Sequence, residues 1–128
     1  MSPVPLTAPK WSVTLADGVS YTLQLPDNLT STFSAYFYPS SQSQPSSPNA
    51  VGVFYGTDAG GFISLSINMP EDSTHQPYGG VVSMNGWMDY PDEPGQQQPS
   101  MSLSYLWLPQ GGVAQPQSTA SFTPQSSR

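Results

Sequence analysis

Short apolar runs recur along the chain, each rich in Val, Ile, Thr, Tyr, Phe or Trp and each bounded by Gly, Pro, Asn, Asp or Ser. Such runs are the signature of antiparallel strands separated by turns. No window carries the apolar spacing of an amphipathic helix, and Pro or Gly interrupts nearly every stretch long enough to hold one. The pattern predicts eight strands: Lys10 to Leu15, Ser20 to Leu25, Thr32 to Tyr38, Ala50 to Gly56, Gly61 to Met69, Gly80 to Tyr90, Ser100 to Pro109 and Ser118 to Pro124. The chain reads as all-β, with one domain over residues 10–124 and flexible ends at 1–9 and 125–128.

The connections carry turn chemistry. Asp17-Gly18 predicts a two-residue hairpin, Thr57-Asp58-Ala59-Gly60 a longer one, and Gly111-Gly112 a positive φ after the seventh strand. Two longer connections are biased in composition: Pro39 to Asn49 in Ser, Gln and Pro, and Pro91 to Pro99 in acids and then Gln. Neither can bury enough apolar surface to offset its ordering entropy, so both are expected to be mobile.

Strand period then assigns faces. Ile63, Leu65 and Ile67 alternate with Ser64 and Ser66, while Met101, Leu103, Tyr105 and Trp107 alternate with Ser102 and Ser104. Each of these strands buries one side and wets the other. Eight sequential strands with mostly short turns can close into a single antiparallel up-and-down barrel, which removes the edges that a Lys-poor sheet has little means to protect. A two-sheet β-sandwich is the alternative, and no fixed-period repeat points to a propeller or solenoid.

Composition narrows the partners. The 128 residues are 36% apolar and 12% aromatic, enough for one core. Lys10 and Arg128 are the only fixed cations, and the net charge is −6. Phosphate-backbone affinity needs several Lys or Arg, so nucleic acid is excluded as a partner. Without Cys there is no disulfide framework and no thiolate metal site. The longest apolar runs, such as Val51 to Tyr55, fall far short of a membrane span. The opening Met1 to Pro9 lacks the basic region and sustained apolar segment of a secretory signal, which leaves the compartment open. Asn28-Leu29-Thr30 fits the glycosylation pattern, but such triplets arise by chance and count only in a secreted chain.

No catalytic residues emerge. The single histidine, His75, sits in the polar stretch Glu71 to Pro77 and reads as a solvated loop residue. No Gly-x-Ser-x-Gly elbow is present to present a nucleophile. The acid pairs Glu71-Asp72 and Asp92-Glu93 are adjacent residues, which point opposite ways on an extended segment and suit solubility better than hydrolysis. Asp89, Asp92 and Glu93 lie close enough to invite calcium, yet the spacing matches no EF-hand loop, and neither zinc ligands nor a phosphate-cradling loop is found. The chain is therefore expected to be no enzyme and to use no cofactor or metal.

The aromatic and hydroxyl residues suggest binding instead. An eight-stranded barrel is just wide enough to hold one small ligand. Ser83-x-Asn85-x-Trp87 places two hydrogen-bonding groups beside an indole on one strand face, and unpartnered buried polar groups cost about 1–3 kcal/mol each, so a strand that turned them inward would have something to bind. Trp107 lies late in the following run.

The order of the runs resembles the avidin and streptavidin family of eight-stranded barrels. Trp11, Tyr38-Pro39-Ser40, Ser83-Met84-Asn85-Gly86-Trp87, Leu106-Trp107-Leu108 and Phe122-Thr123 stand where that family has a first-strand Trp, Tyr-x-Ser, Ser-x-Thr-x-Trp, a Trp-Leu segment and a final Phe-Thr. The resemblance implies that Tyr38, Ser40, Ser83 and Asn85 bond a ureido-like head group while Trp87 and Trp107 wall the ligand's apolar part. It stops short of very tight biotin binding: Val13, Asp17 and Ala120 occupy positions of family polar partners, and no Trp stands near Ile67-Asn68.

The expected function is thus a non-catalytic protein holding a small neutral, biotin-like ligand in an aromatic- and hydroxyl-lined barrel. Two alternatives stand beside it: a lectin-like carbohydrate-binding module, and a self-assembling coat or surface protein. Scarcity of Lys, a common device against association, favours a homo-oligomer over a monomer.

Overall fold

The computed structural model describes residues 4–6, 9–56, 60–69, 79–89, 99–114 and 116–125. Ten strands are present among them: β1 (Val4–Pro5), β2 (Lys10–Thr14), β3 (Ser20–Gln24), β4 (Asn28–Leu29), β5 (Thr32–Pro39), β6 (Ala50–Gly56), β7 (Gly60–Asn68), β8 (Val81–Asp89), β9 (Ser100–Leu108) and β10 (Ser118–Pro124). Eight of them close a barrel in the order β10-β2-β3-β5-β6-β7-β8-β9, every pairing antiparallel. Closure is made by β10 on β2, where Phe122 stands opposite Val13 and Pro124 opposite Trp11. The two remaining strands form a short ladder at one end, extended by the Leu6 amide donating to the Asp27 carbonyl at 2.9 Å.

Alternation sorts most barrel strands, whereas β3 and β5 each hold three consecutive buried residues, Tyr21 to Leu23 and Phe37 to Pro39. The inward residues Val13, Leu23, Phe37, Leu65, Val82, Met84, Met88 and Leu103 have no accessible surface, so no void large enough for water touches them. Each such side chain contributes about 1.5–3 kcal/mol of burial, and six strands supply these eight residues. The serines between them on β7 and β9 face outward, as their spacing predicts.

The first hairpin differs from its expected form. Leu15 and Val19 flank a three-residue loop, with the Gly18 amide donating to the Leu15 carbonyl at 3.0 Å and the Asp17 carboxylate accepting from the Val19 amide at 2.9 Å. Gly18 holds φ of 83°, the left-handed residue that such a loop requires, whereas a two-residue type I′ turn would need a positive φ at Asp17 as well, which it lacks. Gly111 carries the expected positive φ, at 70°. At the end of the Pro39 to Asn49 connection, Asn49 is fixed: its side chain accepts from the Phe37 amide and donates to the carbonyls of Phe37 and Asn68, acting as an extra rung between β5 and β7.

Candidate functional site

The residues expected to line an interior pocket do not converge. On β8 the alternation places Val82, Met84 and Met88 inside, so Ser83, Asn85 and Trp87 stand on the outer wall, Ser83 and Asn85 exposed. The physical reason lies in the two faces the strand offers. One presents a valine and two methionines that lose nothing on leaving water; the other presents hydroxyl, amide, indole and, two residues beyond Trp87, the Asp89 carboxylate, which no apolar interior accepts unpaired. Because strand period is two, this choice moves the whole set at once.

Trp107 does face inward, 3% exposed, and its indole N–H donates to the Gly79 carbonyl at 2.8 Å. It is thus core filler that anchors the approach to β8, on the opposite side of the wall from Trp87. Tyr38 lies on the outer side of β5, since its neighbour Phe37 points in, and is nonetheless 7% exposed. Ser40 follows it beyond the strand end and shares a 3.0 Å hydroxyl–hydroxyl hydrogen bond with Thr22. Two strands separate β5 from β8 around the barrel, so these residues and Ser83–Trp87 belong to different parts of the surface. His75, Glu71, Asp72, Asp92, Glu93 and the Asp58 turn lie outside the described residues. Among those described, no group of three or more His, Cys, Asp or Glu is placed to hold a metal ion, and no helix is long and apolar enough to cross a membrane.

What the fold does assemble is an aromatic row on the outside. Strand pairing sets Tyr55 of β6 opposite Phe62 of β7, and Phe62 opposite Trp87 of β8. The Phe62 and Trp87 rings meet edge to face, with centroids 4.8 Å apart and planes at 85°. Trp87 is locked from two further directions. Its indole N–H donates to Asp89 Oδ1 at 2.6 Å, and its ring lies over Gly60, where a Cβ would come within 3.0 Å of the indole. A rigid indole is thereby held partly exposed, while Phe62 and Tyr55 are 63% and 73% exposed.

One step along the strands runs a polar row. Ser64 Oγ donates to Asn85 Oδ1 at 2.7 Å, and Ser104, the partner of Asn85 on β9, accepts from Gln117 Nε2 at 3.1 Å. A depression of about 260 Å³ opens between the aromatic and polar rows, lined by Val53, Tyr55, Phe62, Ser64 and Asn85 together with the backbone between them. A second, of about 550 Å³, adjoins it over β6, bounded by Thr32, Ser34, Val51, Val53, Ser64 and Ser66.

Tyr55, Phe62 and Ser64 are absent from the expected site, yet their signal was readable. Val51, Val53 and Tyr55 alternate with Ala50, Gly52 and Phe54, so β6 is apolar on both faces although a barrel buries only one. The class defined by this fold is a closed antiparallel β-barrel with an apolar core, compatible with an avidin-like fold, whose exposed aromatic side chains among the described residues stand on its outer wall. Neither the family models, the curated proteins nor the solved structures yield a match to this chain.

Proposed function

We propose that this protein is a non-catalytic binding module that recognises a neutral glycan on the outer wall of β6 to β8. The observation that carries this reading is the aromatic row Tyr55–Phe62–Trp87 bordered by Ser64 and Asn85. Aromatic faces cover the C–H side of a sugar ring, and hydroxyl and amide groups match its rim; a locked indole loses little further freedom on binding. A ligand of the biotin type would sit inside the barrel, where Leu23, Phe37, Met84 and Leu103 already fill the space, so the outer wall is preferred.

Intrinsic fluorescence tests this directly, because Trp11 and Trp107 are 1% and 3% exposed and only Trp87 is open to a ligand. A glycan that binds here shifts the emission, and the shift disappears in Trp87→Phe. A neutral-glycan array without a hit, or a hit whose affinity is untouched by Phe62→Ala, removes the proposal.

A second reading has its own observation. Val81, Leu106 and Leu108 are each about half exposed and adjacent on the far part of the same wall, with Val81 opposite Leu108 across the β8–β9 ladder. Such a patch suits association with a second copy of the chain, the homo-oligomer favoured by Lys scarcity. Sedimentation across a concentration series decides it: a monomer at every concentration counts against it, as does an oligomer left intact by Leu106→Asp.

A further inference from the structure

The two depressions are one trough. They share Val53 and Ser64, and together they run from Asn85 on β8 across β7 and β6 to Thr32 and Ser34 on β5. Four neighbouring strands at about 4.8 Å spacing make this roughly 14 Å wide, more than one sugar ring covers. Gly52 sits on the inner face of β6 against the Phe33 ring, so on the outer wall the β6 part of the trough is shaped by the flanking Val51 and Val53.

Building on the glycan reading above, we infer that the trough binds an extended, uncharged oligosaccharide chain, with an end ring against Phe62 and Tyr55 and further rings over Val51, Val53, Ser64 and Ser66. Three observations select this occupant. First, the apolar Val51 and Val53 of β6 are flanked by hydroxyls on both sides, Thr32 and Ser34 of β5 and Ser64 and Ser66 of β7, which suits the C–H faces and hydroxyl rims of linked rings. Second, among the described residues no charged side chain lines either depression, and the chain's net charge is −6, so uronate, sulfated or sialylated polymers meet a net repulsion. Third, the barrel is closed, and the backbone groups of β5 to β8 are committed to their ladders, so an extended peptide has no edge to join by strand addition.

The experiment is a chain-length series. Neutral gluco-oligosaccharides of both β-1,4 and α-1,4 linkage, from the monosaccharide to the hexasaccharide, are titrated against the intact protein while Trp87 fluorescence is followed. In one of the two series, affinity rises at least about tenfold from the monosaccharide to the longer members and then levels off. Val51→Asp, at a position 60% exposed and remote from the indole, abolishes that gain while leaving monosaccharide affinity unchanged; Ser66→Glu does the same. Thermal melting of both variants alongside the parent verifies that the barrel is intact. Binding without length dependence, or a length gain that survives both variants, overturns the trough and leaves the aromatic-row proposal standing. Absence of any fluorescence response to every saccharide overturns both.

Discussion

The outer wall of the barrel has two unlike halves. On β10, β2 and β3 it presents Ser12, Thr14, Ser20, Thr119, Ser121 and Thr123; on β6 to β9 it presents Val51, Val53, Tyr55, Phe62, Trp87, Leu106 and Leu108 among serines. Behind both halves the inner face is the same continuous apolar packing. The fold therefore explains the inside everywhere and the outside only where it is hydroxylated. Hydroxyls in water cost nothing and suit β-structure, whereas large apolar side chains left in water contribute nothing to folding. Their concentration on one half marks that half as the surface shaped for contact.

The largest effects are expected from substitutions in the core that both halves share. Leu103→Ala, at a site with no accessible surface, is expected to lower unfolding free energy by about 2–5 kcal/mol in denaturant titration, and Met84→Ala by a similar amount. If Met84→Ala costs less than Ser83→Ala, the assignment of faces on β8 is wrong. Next in size is conversion of one half toward the other: Tyr55→Thr with Phe62→Thr is expected to abolish glycan binding while shifting stability by less than about 1 kcal/mol, since both side chains are exposed. Asp89→Asn addresses the indole alone. It weakens the hydrogen bond to Trp87 Nε1 and is expected to shift Trp emission and lower affinity severalfold without unfolding the barrel. Two smaller effects complete the contrast. Thr123→Ala on the hydroxylated half is expected to stay within about 0.5 kcal/mol and leave binding alone. Affinity for a neutral glycan is expected to hold nearly constant from low to high salt, because no ion pair is formed on binding.

Much of this was legible in the chain. Alternation in Ile63-Ser64-Leu65-Ser66-Ile67 and in Met101 to Trp107 assigned their faces without ambiguity, because each offers one apolar and one hydroxylated side. Strand β8 was ambiguous: Val82, Met84 and Met88 compete with Ser83, Asn85 and Trp87, and an indole on the polar side draws the eye inward. Asp89, in phase with Trp87, weighs toward the outside for that face without deciding it, because a residue at a strand end can reach water from either side. Tyr55 and Phe62 sit opposite each other in adjacent strands, but only the register of the β6–β7 ladder says so.

The sequence carried the eight strands of the barrel, most of their turns and the requirement that their apolar sides face one another, since these depend on period, turn residues and the cost of wetting apolar surface, but it did not show the short β1–β4 ladder. The tertiary structure alone decided which side of β8 is the inside, and so put Trp87 and Trp107 on opposite sides of one wall. A one-residue step in phase reverses a strand's faces, and only packing against both neighbours fixes that step.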